Sequence, residues 1–156
     1  MIQLPRITRT TSDDPDFGSL VQLLDQDLQV RDGDDHAFYA QFNKMATIRH
    51  AVVAYRGAEP VGCGAFKEFA GELVEIKRMF VQPAHRVQGI AQSILTELEQ
   101  WAGELKYTGC VLETGKNQPE AIGLYQKTGY RFIPNYGQYV GVENSVCLQK
   151  KIGRPQ

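Results

Sequence analysis

The chain has 156 residues, of which 42% are hydrophobic and 22% charged, and its formal net charge is −1. That length suits a single domain, spanning 1–156, that can bury a full core without disulfides or a metal. The near-neutral charge gives no electrostatic reason to expect nucleic acid or an anionic membrane as a partner.

The N-terminal half predicts a strand, two helices and a hairpin. Residues 2–8 (IQLPRIT) read as a strand whose proline suggests a sheet edge. Residues 12–30 read as a helix, because Asp14 can cap it, Pro15 suits its first turn and apolar residues recur at helical spacing. Residues 34–45 are a shorter helix candidate. Residues 51–69 predict a β-hairpin with its turn at GAEP.

The C-terminal half predicts a long amphipathic helix between strands. LVEIKRMFV at 73–81 alternates and should be a central strand, and residues 89–105 carry one apolar stripe. The remaining elements are a buried strand at 110–114, a helix at 119–128 ended by Gly129, and strands at 130–133 and 145–151. We therefore expect one α/β (α+β) domain, a mixed, mostly antiparallel sheet of about seven strands with about four flanking helices.

Targeting and metal signals are missing from the sequence. Residues 1–10 lack the apolar stretch of a secretory signal and no run could cross a bilayer, so we expect a cytoplasmic protein that binds no membrane. Cys63, Cys110 and Cys147 sit among apolar or small neighbours and read as buried thiols. The three histidines lack metal-ligand spacing, so we predict no metal site.

A possible anion site follows the predicted central strand, where residues 81–95 read VQPAHRVQGIAQSIL. Glycine lowers helix stability by about 0.5–1 kcal/mol relative to alanine, so Gly89 in a first helical turn needs a reason. Small side chains at Gly89 and Ala91 would let an anion approach the backbone closely. Free N–H groups and the helix dipole at that turn attract anions, and Arg86 adds a fixed charge. The alternative is a tightly packed helix start.

Two motifs resemble one enzyme family. RVQGIA at 86–91 resembles the Q/R-x-x-G-x-G/A pyrophosphate loop of the GNAT superfamily of N-acetyltransferases, and EIKRMFVQP at 75–83 is similar to its fourth strand. AIGLYQKTGY at 121–130 resembles its A-x-x-L-Y-x-x-x-G-F segment, with Tyr130 in place of Phe. The order of predicted elements also matches, so the resemblance covers nearly the whole chain. The glycine motifs of dinucleotide folds and nucleotide phosphate loops are absent.

The resemblance implies an enzyme that uses acetyl-CoA as co-substrate and transfers its acetyl group directly to a primary amine, without an acyl-enzyme. It also implies that backbone N–H groups near the end of the fourth strand hold the acetyl carbonyl and that an asparagine contacts the pantetheine arm. The cofactor-binding residues expected on this basis are Phe80, Val81, Arg86, Val87, Gln88, Gly89, Ile90, Ala91, Asn117 and Tyr125.

Two side chains are candidates for proton transfer. Tyr125 occupies the family's tyrosine position near the thiol and would be the acid; alternatively it is a core aromatic. Glu75, eleven residues before Arg86, would be the base. The alternatives are that Glu75 pairs with Lys77 or another cation and that a water chain deprotonates the amine. Period-2 alternation puts Glu75, Lys77 and Met79 on one face of the strand.

The sequence says less about the chemical class of the acceptor than about the cofactor. Residues 12–35 contain eight aspartates against one arginine, which favours a small cationic or amino-acid-like amine, although a solvated acidic face would look the same. Tyr136, Tyr139 and Glu143 are candidate acceptor contacts. Three alternatives remain open: a protein lysine or N-terminal acetyltransferase, an enzyme using longer acyl-CoA, and a non-catalytic acetyl-CoA sensor. A homodimer is also open.

Overall fold

The computed structural model describes residues 4–33 and 48–153, and of residue 32 only the backbone. The second helix candidate, 34–45, lies outside these residues. The described strands are β1 (Arg6–Thr10), β2 (His50–Arg56), β3 (Glu59–Ala70), β4 (Leu73–Val81), β5 (Gly109–Gly115), β6 (Arg131–Ile133) and β7 (Ser145–Lys151). The described α-helices are α1 (Pro15–Asp32), α2 (Ile90–Glu104) and α3 (Pro119–Lys127).

The seven strands form one sheet in the order β1-β2-β3-β4-β5-β7-β6. All neighbours pair antiparallel except β4 and β5, which are parallel because α2 carries the chain back between them. The predicted α/β fold class and the central position of LVEIKRMFV are confirmed. The hairpin is also confirmed, although its turn is only Gly57 and Ala58, and Pro60 already pairs with Tyr55 in the ladder.

The first helix follows its sequence signals. The Asp14 side chain accepts a hydrogen bond from the backbone N–H of Asp16 at 2.8 Å, and Pro15 occupies the first turn. Phe17, Leu20 and Leu24 are buried against the sheet. This core lies on one face of the sheet, while the apolar stripe of α2 fills a second core on the opposite face.

A β-bulge in β4 overturns the predicted alternation. Ala65 pairs with Lys77 and Cys63 with Phe80. Between these two pairs β4 advances by three residues while β3 advances by two, so β4 contains one extra residue. The extra residue is Arg78, whose φ of 61° is unusual for a non-glycine residue. Met79 therefore packs against the α2 core instead of sharing the face of Glu75 and Lys77, and the prediction for it is wrong.

The strands β4 and β5 separate soon after they meet. Their pairing runs from Leu73 opposite Gly109 to Glu75 opposite Val111 and stops there. Among the described residues, β4 from Ile76 onward has no strand on its β5 side. The resulting gap opens at the carboxyl ends of two parallel strands, where α/β sheets commonly bind ligands.

The three cysteines are buried, as predicted. Burial raises the pKa of the Cys63 and Cys110 thiols to about 12 and also raises the pKa of Cys147. Thiols that resist ionisation in this way are poor nucleophiles, so they act as small apolar side chains.

Candidate active site

Two cavities meet in the gap between β4 and β5. The larger, about 520 Å³, lies among the end of β4, the start of α2 and one face of α3. The smaller, about 120 Å³, lies between β4, the end of β5 and α1. The residues that line both are Leu24, Met79, Gln118, Ala121 and Tyr125.

The loop before α2 forms one wall of the larger cavity. Val87 has a φ of 62° and Gly89 a φ of 81°, and successive N–H groups in such a backbone can converge on an anion. Val87 is fully exposed, so no burial of its side chain accounts for this strained conformation. The loop 86–91 therefore has a backbone conformation suited to binding an anion through its N–H groups.

The start of α2 differs from the start of α1. Among the described residues, no side chain caps α2 and its first turn holds no acidic residue, whereas α1 has the Asp14 cap and Asp16. The uncapped N–H groups and the positive end of the helix dipole are thus available to an anion. Gly89 precedes the first turn, which begins at Ile90, so the expectation of Gly89 inside that turn is wrong. Its positive φ, not crowding, requires glycine, because an added Cβ would meet nothing within 4 Å.

Arg86 is held at the edge of this loop. Its Nε donates to the Val81 carbonyl at 2.8 Å, and its guanidinium carbon lies 5.6 Å from the centre of the Phe80 ring. Its Nη2 lies 3.9 Å from a carboxylate oxygen of Asp27. These contacts hold the positive charge of Arg86 beside the loop 86–91 and leave a third of its side chain exposed.

Most of the predicted cofactor residues line the larger cavity. They are Phe80, Val81, Arg86, Val87, Gly89, Ile90, Ala91 and Tyr125. Gln88 instead accepts a hydrogen bond from Arg56 at 2.8 Å, and Asn117 donates to the Arg31 carbonyl at 3.3 Å. Neither lines one of the two described cavities, whereas Gln118, one position after Asn117, lines both.

Tyr125 stands where the two cavities join. It lies on α3 with 6% of its surface exposed, and its ring packs edge-on against Tyr130 with centroids 5.6 Å apart. Burial, aided by the charge of Glu113, raises the pKa of the Tyr125 phenol above its usual value. The side chain is therefore both a core aromatic and a protonated donor on the cavity wall.

Glu75 lines the smaller cavity and is 4% exposed. Its Oε2 accepts a hydrogen bond of 2.7 Å from the Tyr136 hydroxyl. Its Oε1 lies 3.7 Å from the Lys77 ammonium and 3.9 Å from that of Lys67. Burial, with the Glu75 charge beside it, raises the pKa of Tyr136. The predicted pairing with cations is present, and the carboxylate also faces a cavity.

The smaller cavity contains two charges that the sequence did not predict. Besides Glu75, Lys77 and the predicted Tyr139, it is lined by Arg78 and Glu113. No periodic pattern could reveal that Arg78 faces it, because the bulge decides where that side chain lies. Glu143 is exposed and lines neither described cavity.

The aspartates of α1 are largely engaged within the chain. Three of them contact side chains of other elements or of α1 itself: Asp16 with Tyr55 at 2.6 Å, Asp25 with Arg78 at 3.0 Å, and Asp27 with Arg31 at 3.2 Å. Two of these contacts are ion pairs with arginines, so the acidic surplus noted in the sequence is partly neutralised.

The parts of the chain that the structure describes contain no group of three His, Cys, Asp or Glu side chains that could hold a metal ion. Within residues 4–33 and 48–153, no helix is long and apolar enough to cross a membrane.

The sequence and the fold are similar to those of known proteins. The sequence profile of the Acetyltransferase (GNAT) family matches residues 17–130. An IAA acetyltransferase from Azospirillum brasilense is 35% identical over 102 residues, which cover 65% of this chain and 67% of that protein. A proposed acyl-CoA N-acyltransferase from Klebsiella pneumoniae superposes with a TM-score of 0.80 at 26% identity, over 96% of this chain and 98% of that one. A GNAT acetyltransferase from Elizabethkingia anophelis with acetyl-CoA bound superposes with a TM-score of 0.69 at 20% identity, over 96% of this chain and 99% of that one.

Proposed function

The chain belongs to the GNAT family of acetyltransferases, and from that premise we propose that it transfers the acetyl group of acetyl-CoA directly to the primary amine of a small molecule. The acceptor would be a cationic amine or an amino-acid-like compound. One observation carries the proposal: Tyr125 lines both cavities, so a thioester in the larger and an amine in the smaller would meet at its phenol.

The larger cavity suits the cofactor. Its volume of about 520 Å³ falls within the range of roughly 300–1,000 Å³ typical of small-molecule sites. The pyrophosphate would bind the uncapped start of α2 and the loop 86–91, with Arg86 beside it. The pantetheine arm would run between β4 and α3 toward Tyr125. Backbone N–H groups near Phe80 and Val81, on the side of β4 that has lost β5, would receive the acetyl carbonyl.

The chemistry sets three requirements. An alkylammonium has a pKa near 10.4 and must lose a proton before it attacks, a task we assign to Glu75 directly or through water. The amine nitrogen then bonds to the thioester carbon, and the oxyanion formed is stabilised by the β4 backbone donors. Collapse breaks the carbon–sulfur bond, and Tyr125 would give its proton to the departing thiolate. The second proton of the attacking nitrogen would be lost in the same step and would restore the phenol through water. The products are the N-acetylated amine and CoA.

The size of the smaller cavity favours a small acceptor. At about 120 Å³ it is comparable with the roughly 150 Å³ cavity that admits benzene in another protein. A peptide lysine could insert only its side-chain tip into such a space.

The proposal is tested by incubating the protein with acetyl-CoA and a panel of amines that includes amino acids, polyamines, a lysine peptide and a peptide with a free N-terminus. CoA thiol release gives the rate, and the mass of the product identifies the acetylated acceptor. Turnover on small amines supports the proposal. Turnover on the peptides alone would show a protein acetyltransferase, and saturable acetyl-CoA binding without turnover would show a sensor.

A further inference from the structure

Lys77 is a charged side chain inside the smaller cavity to which the mechanism above gives no role. Its side chain is only 12% exposed, although ammonium groups are rarely buried without a close partner. Within the described residues, its one ion pair is with Glu75 at 3.7 Å, and it has no hydrogen bond. Burial lowers the pKa of Lys77, and the charges of Glu75 and Glu113 only partly oppose this. The ammonium lacks the close anion that would stabilise it.

The neighbouring charges do not supply that anion at close range. Glu113 lines the same cavity and its charge acts on Lys77, but among the described contacts the two side chains form no ion pair. Glu75 already accepts a 2.7 Å hydrogen bond from Tyr136 and is approached by Lys67 as well as Lys77. Arg78, the other cation of this cavity, pairs with Asp25 at 3.0 Å. Lys77 lines a cavity where a ligand could reach its ammonium.

We propose that Lys77 binds a carboxylate group of the acceptor, so that the acceptor is an amino acid or a similar small aminocarboxylate. The inference rests on the proposed transfer to a primary amine. Glu75 and Lys77 lie two residues apart on one face of β4, before the bulge. A carboxylate and an ammonium therefore lie side by side. An ammonium near Glu75 and a carboxylate near Lys77 match the two charged groups of such a ligand.

A second role for Lys77 must be separated from this one, namely that it only neutralises Glu75. Lys67 provides the matched control, since its ammonium lies 3.9 Å from the same oxygen but its side chain is 52% exposed and does not line the cavity. A residue that merely balances the Glu75 charge would act on every acceptor alike, whereas a carboxylate receptor acts only on acceptors that have one.

The experiment compares each active amino acid with the amine obtained by removing its carboxyl group. In the parent protein, we expect kcat/KM to favour the amino acid by about tenfold or more, the worth of one hydrogen bond between charged groups. Lys77→Met should remove that preference chiefly by raising KM for the amino acid. The loss of kcat/KM on the decarboxylated amine should be clearly smaller, and the affinity for acetyl-CoA should stay within about twofold. Lys67→Met should leave the preference intact.

Two outcomes would overturn the inference while leaving the proposed function in place. One is a parent protein that acetylates both members of each pair equally well, a result that does not depend on any variant folding. The other is a Lys77→Met or Lys77→Gln protein that loses activity equally on both members, with a shifted pH–rate profile. Absence of transfer to any amine, with acetyl-CoA still bound, would instead remove the proposed function itself.

Discussion

Replacing Tyr125 by phenylalanine removes one hydroxyl from the junction of the two cavities and keeps the ring. The edge-on packing against Tyr130 should survive, because it involves the rings alone. Burial raises the pKa of Tyr125 above its usual value of 10, so the parent phenol stays protonated, and able to donate, throughout the neutral range. The substitution therefore deletes a donor that is present at every pH at which the enzyme would be assayed.

The size of the effect follows from what that donor would do. Loss of a general acid typically costs about 10²- to 10⁴-fold in rate, and a thiolate is already a fair leaving group, so we expect about 100-fold in kcat. This corresponds to about 2.7 kcal/mol of transition-state stabilisation. The affinity for acetyl-CoA should hardly change, because the hydrogen bond strengthens mainly as the carbon–sulfur bond breaks.

The assay is steady-state CoA release, accompanied by single-turnover measurements that isolate the chemical step. Tyr130→Phe is the matched control: its hydroxyl donates to Glu99 at 2.8 Å, and it lines neither described cavity. That variant should lose stability but keep kcat. A Tyr125→Phe protein with the parent's single-turnover rate would refute the reasoning and leave Tyr125 as a packing residue.

Three further results are expected. Glu75→Gln should lower kcat most near neutral pH without weakening acetyl-CoA binding; a pH–rate profile that overlays the parent's would place the base elsewhere. Gly89→Ala is strained by about 1–2 kcal/mol at this positive φ; relief of the strain would reshape the loop and should raise the acetyl-CoA dissociation constant at least about tenfold in calorimetry. Gly57→Ala, in a similar conformation at the hairpin turn, should lose comparable stability and no affinity. Because burial raises the pKa of Cys63 and Cys110 from 9.0 to about 12, the folded state keeps protons that the unfolded state releases above pH 9.0. The free energy of unfolding should therefore fall above that pH by about 1.4 kcal/mol per pH unit for each thiol, as urea titrations can measure; a flat profile would contradict the burial argument.

The sequence predicted the described elements because their signals are local. Asp14 and Pro15 mark the start of α1, the alternation of 73–81 marks β4, and Gly129 follows the end of α3. Each signal depends on neighbours within one or two turns, so chain order alone could reveal it.

The sequence could not predict which way the β4 side chains face after residue 77. Pleat alternation assumes a regular ladder, and the extra residue at Arg78 shifts Met79 to the opposite face. Such a bulge depends on how β3 and β4 pair across space, for which a single strand carries no signal. The presence of Arg78 in the smaller cavity was hidden for the same reason.

The contacts made between distant elements were equally invisible. Tyr136 reaches Glu75 across 61 positions of sequence, and Asp25 reaches Arg78 across 53. The aspartates of α1 suggested an acidic acceptor site because two of their partners, Tyr55 and Arg78, lie on strands far away in the sequence. Motifs therefore predicted where the cofactor would bind better than they predicted what the acceptor cavity contains.

The central claim is that acetyl-CoA binds in the larger cavity, with its pantetheine arm between β4 and α3 and its pyrophosphate on the start of α2. A crystal structure of the protein with CoA tests it in one measurement. We expect pyrophosphate oxygens within hydrogen-bond distance of backbone nitrogens in residues 87–91, and the CoA sulfur within the same distance of the Tyr125 hydroxyl. A pyrophosphate bound away from this loop, or a sulfur in a space that Tyr125 does not reach, would contradict the claim.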